Sequence, residues 1–446
     1  MEMSLAQLDN MNAATRQRAL RALVAMERAG ELPPVPEQPG FNLHAHTFFS
    51  YNGAGYSPSH LVWRAHRQGW WALATVDFDV LDSVDETMQA SEMVGLRASG
   101  GIETRVFAPE LHDTETNSPG EPGVMYLIGV GFTQAAPPPA AAPVLADMRT
   151  RAQRRNREMI ARINAHLAPV SIDLDRDVAP MTPAGNVTER HMLVAYDRAA
   201  RAHYHSRAAL VSFWADRLGL SPAAVEVFLG DAPFPHDAIR SKLMKRGGVG
   251  YAQPGPETFP SLPAVADAIV ACGAIPTYGF VDGMSAGEAR LDALLELMIA
   301  QGAGGLTIIP DRNWNIQDPA EKATKLAALH SAIALAERVD LPVLAGTEMN
   351  RPGQRELDDF TAPELRPFWP VFQRGAAWLW GHTVLQRLCA CGYQSAWARG
   401  WLPSRGARNA FFAQVGAACG PNDARLESIM AAAPDGPEAV RAVLGL

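Results

Sequence analysis

Short apolar runs alternate with amphipathic stretches along the chain from residue 41 onward. Runs of this length between helical patterns are typical of buried strands in a parallel sheet. They are FNLHAH (41–46), WWALATVDF (70–78), GGIETRVF (100–107), VMYLIGVGF (124–132), AIPTYGF (274–280), GGLTIIP (304–310) and LPVLAG (341–346). The alternation predicts an α/β architecture with a parallel sheet, which we interpret as a barrel.

Two proline-rich segments interrupt this alternation, ELPPVPEQPG (31–40) and QAAPPPAAAP (134–143). A mainly helical pattern follows the second, and within it Asn186 and Glu189 are spaced like a capping box. The predicted organisation is an N-terminal helix and linker (1–40), a first barrel half (41–133), a linker and helical insertion (134–250), a second barrel half (251–353) and a helical C-terminal region (354–446).

Polar residues collect where the predicted strands end. The carboxyl ends of the strands in a parallel barrel form one rim, where active sites are built. The strand-end residues are His44, His46, Asp77, Asp79, Glu103, Asp311, Arg312, Asn313, Glu348 and Asn350. The sequence therefore predicts a functional site on this rim.

Residues i and i+2 of a strand point to the same face, so His44 and His46 would aim two imidazoles in one direction. Alone, such a pair is a weak signal, since a strand that simply ends in two polar residues explains it as well. The acids at the other strand ends favour a metal site.

The segments NLHAHTFFS, a strand ending in Asp-x-Asp, GIE and AGTEMN follow one another in an order that resembles the PHP (polymerase and histidinol phosphatase) superfamily. The resemblance covers residues 41–132 and, more loosely, 262–353. It implies a distorted (β/α)7 barrel, here with a helical insertion and a helical C-terminal extension. It also implies metal-dependent hydrolysis, typically of phosphoesters, with zinc, manganese or iron.

By this resemblance, His44 and His46 match the first ligand pair, Glu103 matches a glutamate that bridges two metals, and Glu348 takes the place of a late aspartate ligand. Other positions depart from the family. The departures are Phe78 between Asp77 and Asp79, Met125–Ile128 on the fourth strand, Tyr278–Phe280 in place of Ala-His-Pro, and Asn350 in place of the final histidine. With these histidines missing, we expect one divalent ion rather than three.

The expected metal ligands are His44, His46, Asp77, Glu103 and Glu348, with His191, Asp311 and Asn350 as further candidates. Asp77 or Asp79 would act as a base or as an extra ligand. Arg105 and Arg312 would orient an anionic substrate through bidentate hydrogen bonds, although a structural ion pair with a rim acid explains each arginine equally well.

Composition limits the class of partner. The net charge of −8 gives no electrostatic reason to expect binding to nucleic acid or to an anionic membrane. One local exception is MRTRAQRRNREMIAR (148–162), which carries six arginines in a helical pattern. It reads as a solvated basic face, with a phosphate-facing or partner-facing helix as the alternative. The expected partner is a small anionic substrate, and the oligomeric state stays open.

The cysteines Cys272, Cys389, Cys391 and Cys419 are scattered, which favours a reducing compartment over a disulfide framework. No apolar run approaches the roughly 18–20 residues that span a bilayer. We therefore expect a cytoplasmic protein.

Three functions stay open at this stage. The first is a PHP-type phosphatase or phosphodiesterase in which a metal activates water. The second is a hydrolase or lyase that acts on amide, C–O or C–N bonds at the same metal site. The third is a binding protein that has lost catalysis together with its histidines.

Overall fold

The structure is a computed structural model, and it describes residues 2–230 and 237–446. At its centre lies a seven-stranded sheet in which each strand pairs with the next along the chain. The strands are β1 (Phe41–Ala45), β2 (Ala72–Phe78), β3 (Arg97–Phe107), β4 (Val124–Phe132), β5 (Ile275–Phe280), β6 (Gly305–Ile308) and β7 (Val343–Ala345). A bridge between Ala45 and Glu348 brings the two edges together, so the predicted α/β barrel is confirmed.

The fourth strand departs from the prediction of a uniformly parallel sheet, because β4 runs antiparallel to both β3 and β5. The physical reason is its connection. Only a short 3₁₀ turn (Pro109–Leu111) lies between β3 and β4, whereas a parallel pair needs a crossover that is usually helical. The reversal places the start of β4 at the rim, where Tyr126 and Ile128 line the cavity described below.

Helices surround the barrel and extend it. They are α1 (Glu2–Gln7), α2 (Ala13–Arg28), α3 (Pro58–Arg67), α4 (Val84–Val94), α5 (Ala142–Leu167), α6 (Glu189–His203), α7 (Arg207–Leu218), α8 (Pro222–Phe228), α9 (Asp237–Leu243), α10 (Leu262–Ala271), α11 (Leu291–Ala300), α12 (Asp311–Trp314), α13 (Pro319–Arg338), α14 (Trp369–Cys389), α15 (Ala396–Trp401), α16 (Arg405–Ala418), α17 (Leu426–Ala432) and α18 (Pro437–Leu444). None of the described helices is long and apolar enough to cross a membrane.

Local signals start several of these helices. The Ser57 hydroxyl accepts a hydrogen bond from the backbone of His60 at 3.1 Å, and Pro58 follows at the first helical position of α3. Asp318 caps α13 in the same way through the backbone N–H of Glu321 at 2.8 Å. These helices begin where side chains adjacent in sequence satisfy their free N–H groups.

The helical insertion has a hydrophobic cluster of its own, built around Tyr196 and Trp214. A separate cluster joins the barrel strands to α14 and α16, with Trp378 and Phe412 fully buried. The insertion is therefore an independently packed unit that lies against the rim of the barrel and contributes residues to it.

Candidate functional site

A cavity of about 650 Å³ opens at the rim predicted from the sequence. Strand ends supply one part of its wall and the helical insertion supplies the other. The polar lining residues include His44, Glu103, Asp311, Arg312, Glu348 and Asn350 from the barrel, and Glu189, Arg190, Arg240 and Lys245 from the insertion. The barrel and the helical insertion therefore form the wall of the cavity together.

His44, His46 and Glu103 form one buried cluster at this cavity. The His44 Nε2 atom lies 2.8 Å from the Glu103 Oε2 atom, and the His46 Nε2 atom lies 3.2 Å from the same oxygen. His44 lies on β1, His46 directly follows the end of that strand, and Glu103 lies on β3. One potential ligand atom from each residue lies within 4.8 Å of the others.

Two ring nitrogens of this cluster are buried and poorly satisfied: His44 Nδ1 makes no hydrogen bond to the described residues, and His46 Nε2 has only its 3.2 Å contact with Glu103. Leaving buried polar atoms unsatisfied costs free energy, so native structures rarely keep them without a ligand or a function. Imidazole nitrogens and a carboxylate oxygen at this spacing are ligands of zinc and similar divalent ions. The three residues therefore fit a divalent metal.

The charges of the cluster are mutually dependent. Burial raises the pKa of Glu103, but hydrogen bonds from His44 and His46 outweigh it and hold the pKa below its usual value. Burial lowers the pKa of His46, but the hydrogen bond and the charge of Glu103 raise it overall. Glu103 therefore stays ionised between the two imidazoles.

Glu348 and Arg312 form a second polar corner of the cavity, outside the three-residue cluster. The Arg312 guanidinium donates to the Glu348 Oε1 atom at 2.6 Å. Burial raises the pKa of Glu348, but the charge of Arg312 keeps it below its usual value. The charge of Glu348 in turn raises the pKa of Arg312 further, so the pair stays ionised.

The backbone at this corner is in the left-handed region, with φ of 64° at Glu348 and 57° at Met349. Side chains other than glycine and asparagine rarely adopt this conformation, and it persists where the surroundings hold it in place. Here the backbone N–H of His46 donates to the Glu348 carbonyl at 2.8 Å. The same turn that closes the barrel thus aims the Glu348 side chain at the rim.

Asp77 lies beneath the cavity and does not line it. One carboxylate oxygen accepts from the Thr47 backbone at 2.8 Å and from the Ser50 hydroxyl at 2.6 Å. The other accepts from the Thr47 hydroxyl at 2.7 Å. The structure thus places Asp77 where it anchors the loop that follows the histidine strand.

Asp79 accepts from the Thr104 hydroxyl at 2.6 Å and lies 3.8 Å from the Arg155 guanidinium. Arg105 donates to Glu121 at 2.9 Å and lines a neighbouring cavity instead of this one. Neither residue is brought together with the histidine cluster.

Asp311 and Asn350 line the cavity near Arg312. The Asp311 carboxylate accepts from the Asn315 amide at 2.9 Å, and the Arg355 guanidinium lies 3.8 Å away. Asp311 therefore lies at the rim as predicted, but outside the histidine cluster.

His191 has a structural partner in the insertion. Its Nδ1 atom accepts from the backbone N–H of Thr188 at 3.1 Å, so Thr188 and His191 form the capping box of α6. The predicted Asn186–Glu189 box is wrong, because the Asn186 amide donates to the carbonyl of Phe78 at 2.7 Å. Burial lowers the pKa of His191 to about 4, so its ring is neutral near pH 7.

The sequence reasoning missed the cationic face of the insertion. Glu189, at the first turn of α6, accepts from Arg240 at 2.6 Å and lies 3.0 Å from the Lys245 ammonium. Burial raises the pKa of Glu189, but both cations hold it below the usual value. The start of a helix near residue 188 could have indicated Glu189 as a candidate site residue. No local sequence pattern indicates Lys245.

No family model and no curated protein matches the chain. One solved structure that it resembles is an amidohydrolase from Chromobacterium violaceum with bound sulfate and no metal, at 19% identity and a TM-score of 0.49, over 75% of this chain and 96% of that one. Another is a protein proposed to be a metal-dependent phosphoesterase from Bifidobacterium adolescentis, at 21% identity and a TM-score of 0.46, over 74% of this chain and 96% of that one. These likenesses are too distant to assign a function.

Proposed function

We propose that the protein is a metal-dependent hydrolase of small phosphate esters. The observation that carries this proposal is the buried cluster of His44, His46 and Glu103, in which His44 Nδ1 has no hydrogen-bond partner among the described residues and His46 Nε2 has only its contact with Glu103. The cluster opens onto a cavity large enough for a small metabolite.

His44, His46 and Glu103 would hold one divalent ion, with Glu348 close enough to the cluster to interact with both His44 and Glu103. A divalent ion at such a site lowers the pKa of water to about 7 and polarises a phosphoryl oxygen. The protein itself supplies the group that would bind the substrate. Arg312, held by Glu348, faces the cavity with a charge that does not titrate near neutral pH.

Hydrolysis adds water across the P–O ester bond, so one proton leaves the water and one joins the departing alcohol. Asp77 and Asp79 do not line the cavity, and we assign them to positioning. Among the carboxylates that line the cavity, Glu348 and Asp311 from the strand ends are our candidates to accept the proton from water. Arg312 and Lys245 would stabilise the charge on the phosphoryl oxygens.

The cations around the cavity favour a phosphate ester over a neutral amide or ester. They are Arg190, Arg240, Lys245, Arg312, Lys325 and Arg351. Four of them have acidic partners: Arg312 pairs with Glu348, Lys325 with Asp282 and Glu321, and both Arg240 and Lys245 with Glu189. Cations fixed in this way keep their charge and would orient an anionic substrate.

The test combines elemental analysis of the purified protein with a panel of phosphoesters, amides and esters. We expect about one equivalent of metal and turnover of phosphoesters. A His44→Ala/His46→Ala variant should lose the metal and at least about 1,000-fold in activity. The matched control is His205→Ala, which removes an exposed histidine of the insertion.

Other outcomes separate the alternatives. Bound metal with turnover of amides or esters alone would assign a different hydrolase to the same site. Stoichiometric metal without any turnover would identify a binding protein. Protein that takes up none of zinc, manganese and iron would contradict the proposal.

A further inference from the structure

A second cavity of about 370 Å³ lies beside the first, and the two share Glu189 and Lys245 in their walls. Its lining includes five arginines, Arg105 from β3 and Arg151, Arg154, Arg155 and Arg162 from α5. Four of the six arginines noted in segment 148–162 therefore line this cavity, three of them partly buried. The solvated-face interpretation does not account for this placement.

Arg155 is the unusual member of this group. Across the described part of the chain, no residue accepts a hydrogen bond from its guanidinium, and the carboxylate within reach is Asp79 at 3.8 Å. Its guanidinium lies 4.8 Å from the ring centre of Phe259, and that of Arg105 lies 4.5 Å from the same centre. Two like charges thus share one aromatic ring.

Electrostatics disfavours this arrangement. Burial and the neighbouring charge of Arg105 lower the pKa of Arg155 to about 10. Arg155 nevertheless remains a cation near pH 7, so a guanidinium with five N–H donors, whose ion-pair partner Asp79 lies 3.8 Å away, faces the cavity.

The cavity lining holds six cations and four carboxylates, Glu121, Glu158, Glu189 and Glu257. Glu121 accepts from Arg105 at 2.9 Å and from the Ser118 hydroxyl at 2.6 Å. Glu189 is held by Arg240 and Lys245 on the wall between the cavities. Among the described residues, the carboxylate paired with Arg155 is Asp79, at 3.8 Å.

Among the other arginines of α5 that line the cavity, Arg151 pairs with Asp147 at 2.6 Å, whereas Arg154 and Arg162 are held by backbone carbonyls. Arg154 donates to the carbonyl of Glu257 at 2.8 Å, and Arg162 donates to that of Gly250 at 3.0 Å. Backbone carbonyls fix the position of a guanidinium without removing its charge. The cavity thus has a preorganised excess of positive charge.

We propose that this arginine-lined cavity binds a second anionic group of the substrate, a phosphate or a carboxylate, through Arg155. The proposal rests on the proposed function, because it takes the substrate to be a phosphate ester whose reacting end lies at the histidine cluster. Glu103 and Arg105 are alternate residues of β3, with Cα atoms about 7 Å apart, so one small molecule can reach both regions. The substrate would then be a bisphosphate or a phosphorylated carboxylic acid.

The first test measures binding of inorganic phosphate to the full-length protein by calorimetry. We expect Arg155→Gln to remove one phosphate site or weaken it at least about tenfold, since a charge-assisted hydrogen-bond pair is lost. The control is Arg157→Gln on the same helix, because Arg157 is exposed and pairs with Asp175 at 2.8 Å. Equal phosphate binding by the two variants would overturn the proposal.

A second arm separates this site from the metal site. In the His44→Ala/His46→Ala background, the Arg155-dependent phosphate site should persist, and adding Arg155→Gln should abolish it. If phosphate binding disappears entirely with the histidines, the arginine-lined cavity is not an anion site. This arm decides the proposal even where no hydrolysis is found.

A third arm separates binding from a structural role. Without phosphate, Arg155→Gln should raise the melting temperature by about 2 °C, because it removes repulsion between two buried cations. Arg155→Lys should keep part of the phosphate binding. A lower melting temperature in Arg155→Gln would assign the residue to structure and contradict the proposal.

The kinetic arm compares a bisphosphate of a short diol, a phosphorylated short carboxylic acid and the corresponding monophosphate. Arg155→Gln should raise KM at least about tenfold for whichever doubly anionic substrate the cavity accepts, and less than about twofold for the monophosphate. Equal changes in KM for all three would overturn the proposal, while leaving the metal-dependent hydrolase in place.

Discussion

The cavity has two polar corners, and each contains a buried carboxylate whose charge is compensated in a different way. At the first corner, Glu103 lies between two imidazoles, His44 Nδ1 has no hydrogen-bond partner among the described residues, and His46 Nε2 has only its 3.2 Å contact with Glu103. At the second corner, Glu348 is neutralised by the guanidinium of Arg312. The first corner can therefore bind a metal ion, whereas the carboxylate of the second corner already has a cationic partner.

This difference explains how a site with two clustered histidines keeps its charge balance. A guanidinium and a metal ion both neutralise a carboxylate, but only the ion can also bind water. One corner is therefore suited to activating water and the other to holding an anion. The contrast supports one ion rather than three.

The largest expected effect comes from breaking the first corner with Glu103→Gln. The amide keeps the shape of the side chain but removes the negative charge between the histidines, so metal affinity should fall by more than about 1,000-fold, or about 4 kcal/mol. Metal titration followed by calorimetry measures this change. Glu92→Gln, at an exposed acid paired with Arg387, should leave the affinity unchanged. Unaltered affinity in Glu103→Gln would remove this residue from the ligand set.

Asp77→Ala tests the support beneath the first corner. It leaves the Thr47 backbone N–H and the hydroxyls of Thr47 and Ser50 without their buried acceptor, so we expect a loss of about 3 kcal/mol in unfolding free energy. Denaturant unfolding measures the loss. Metal content per folded molecule should stay near that of the parent protein. Loss of metal with unchanged stability would show instead that Asp77 is a ligand.

Arg312→Met breaks the second corner and should leave the metal content unchanged. The charge facing the substrate is lost and Glu348 is left unpaired, so kcat/KM for phosphoesters should fall by about 10- to 100-fold, up to about 3 kcal/mol. Arg312→Lys should recover part of this loss. The control is Arg338→Met at the exposed C-terminal end of α13. Loss of metal in Arg312→Met would show that the corners are not independent.

The smallest effect concerns Asp358, which supports the second corner by accepting from the Trp314 indole of α12 at 3.2 Å. Burial raises the pKa of Asp358 from 3.8 to about 8, against the hydrogen bond from Trp314 and the charge of Arg355. The folded state therefore binds a proton that the unfolded chain releases near pH 4. Its contribution to stability is full below about pH 4 and is lost as the pH rises toward 8.

Asp358→Asn removes this dependence. From pH 6 to pH 7, the free energy of unfolding of the wild type should fall by about 1 kcal/mol relative to that of the variant. Urea unfolding at the two pH values measures it, and exposed Asp216→Asn serves as the control. Parallel pH profiles of Asp358→Asn and the wild type would contradict the raised pKa.

Many features of the barrel could be predicted from the sequence because they depend on residues that are close together along the chain. Apolar runs predicted the strands, and the spacing of His44 and His46 predicted that both imidazoles point one way. Asp318 predicted the start of α13, since a cap depends on residues three apart. The placement of Glu103 beside the histidines followed from the rule that parallel strands end at one rim.

Only the tertiary structure decided which polar residues share a space. The direction of β4, the burial of Asp77 under its loop and the pairing of Glu348 with Arg312 depend on partners distant in sequence. The same holds for Arg155, whose neighbours come from β3 and from the segment before α10. Charge, burial and hydrogen bonding are set by these non-local contacts, so the sequence by itself determined the candidate residues and the fold decided their roles.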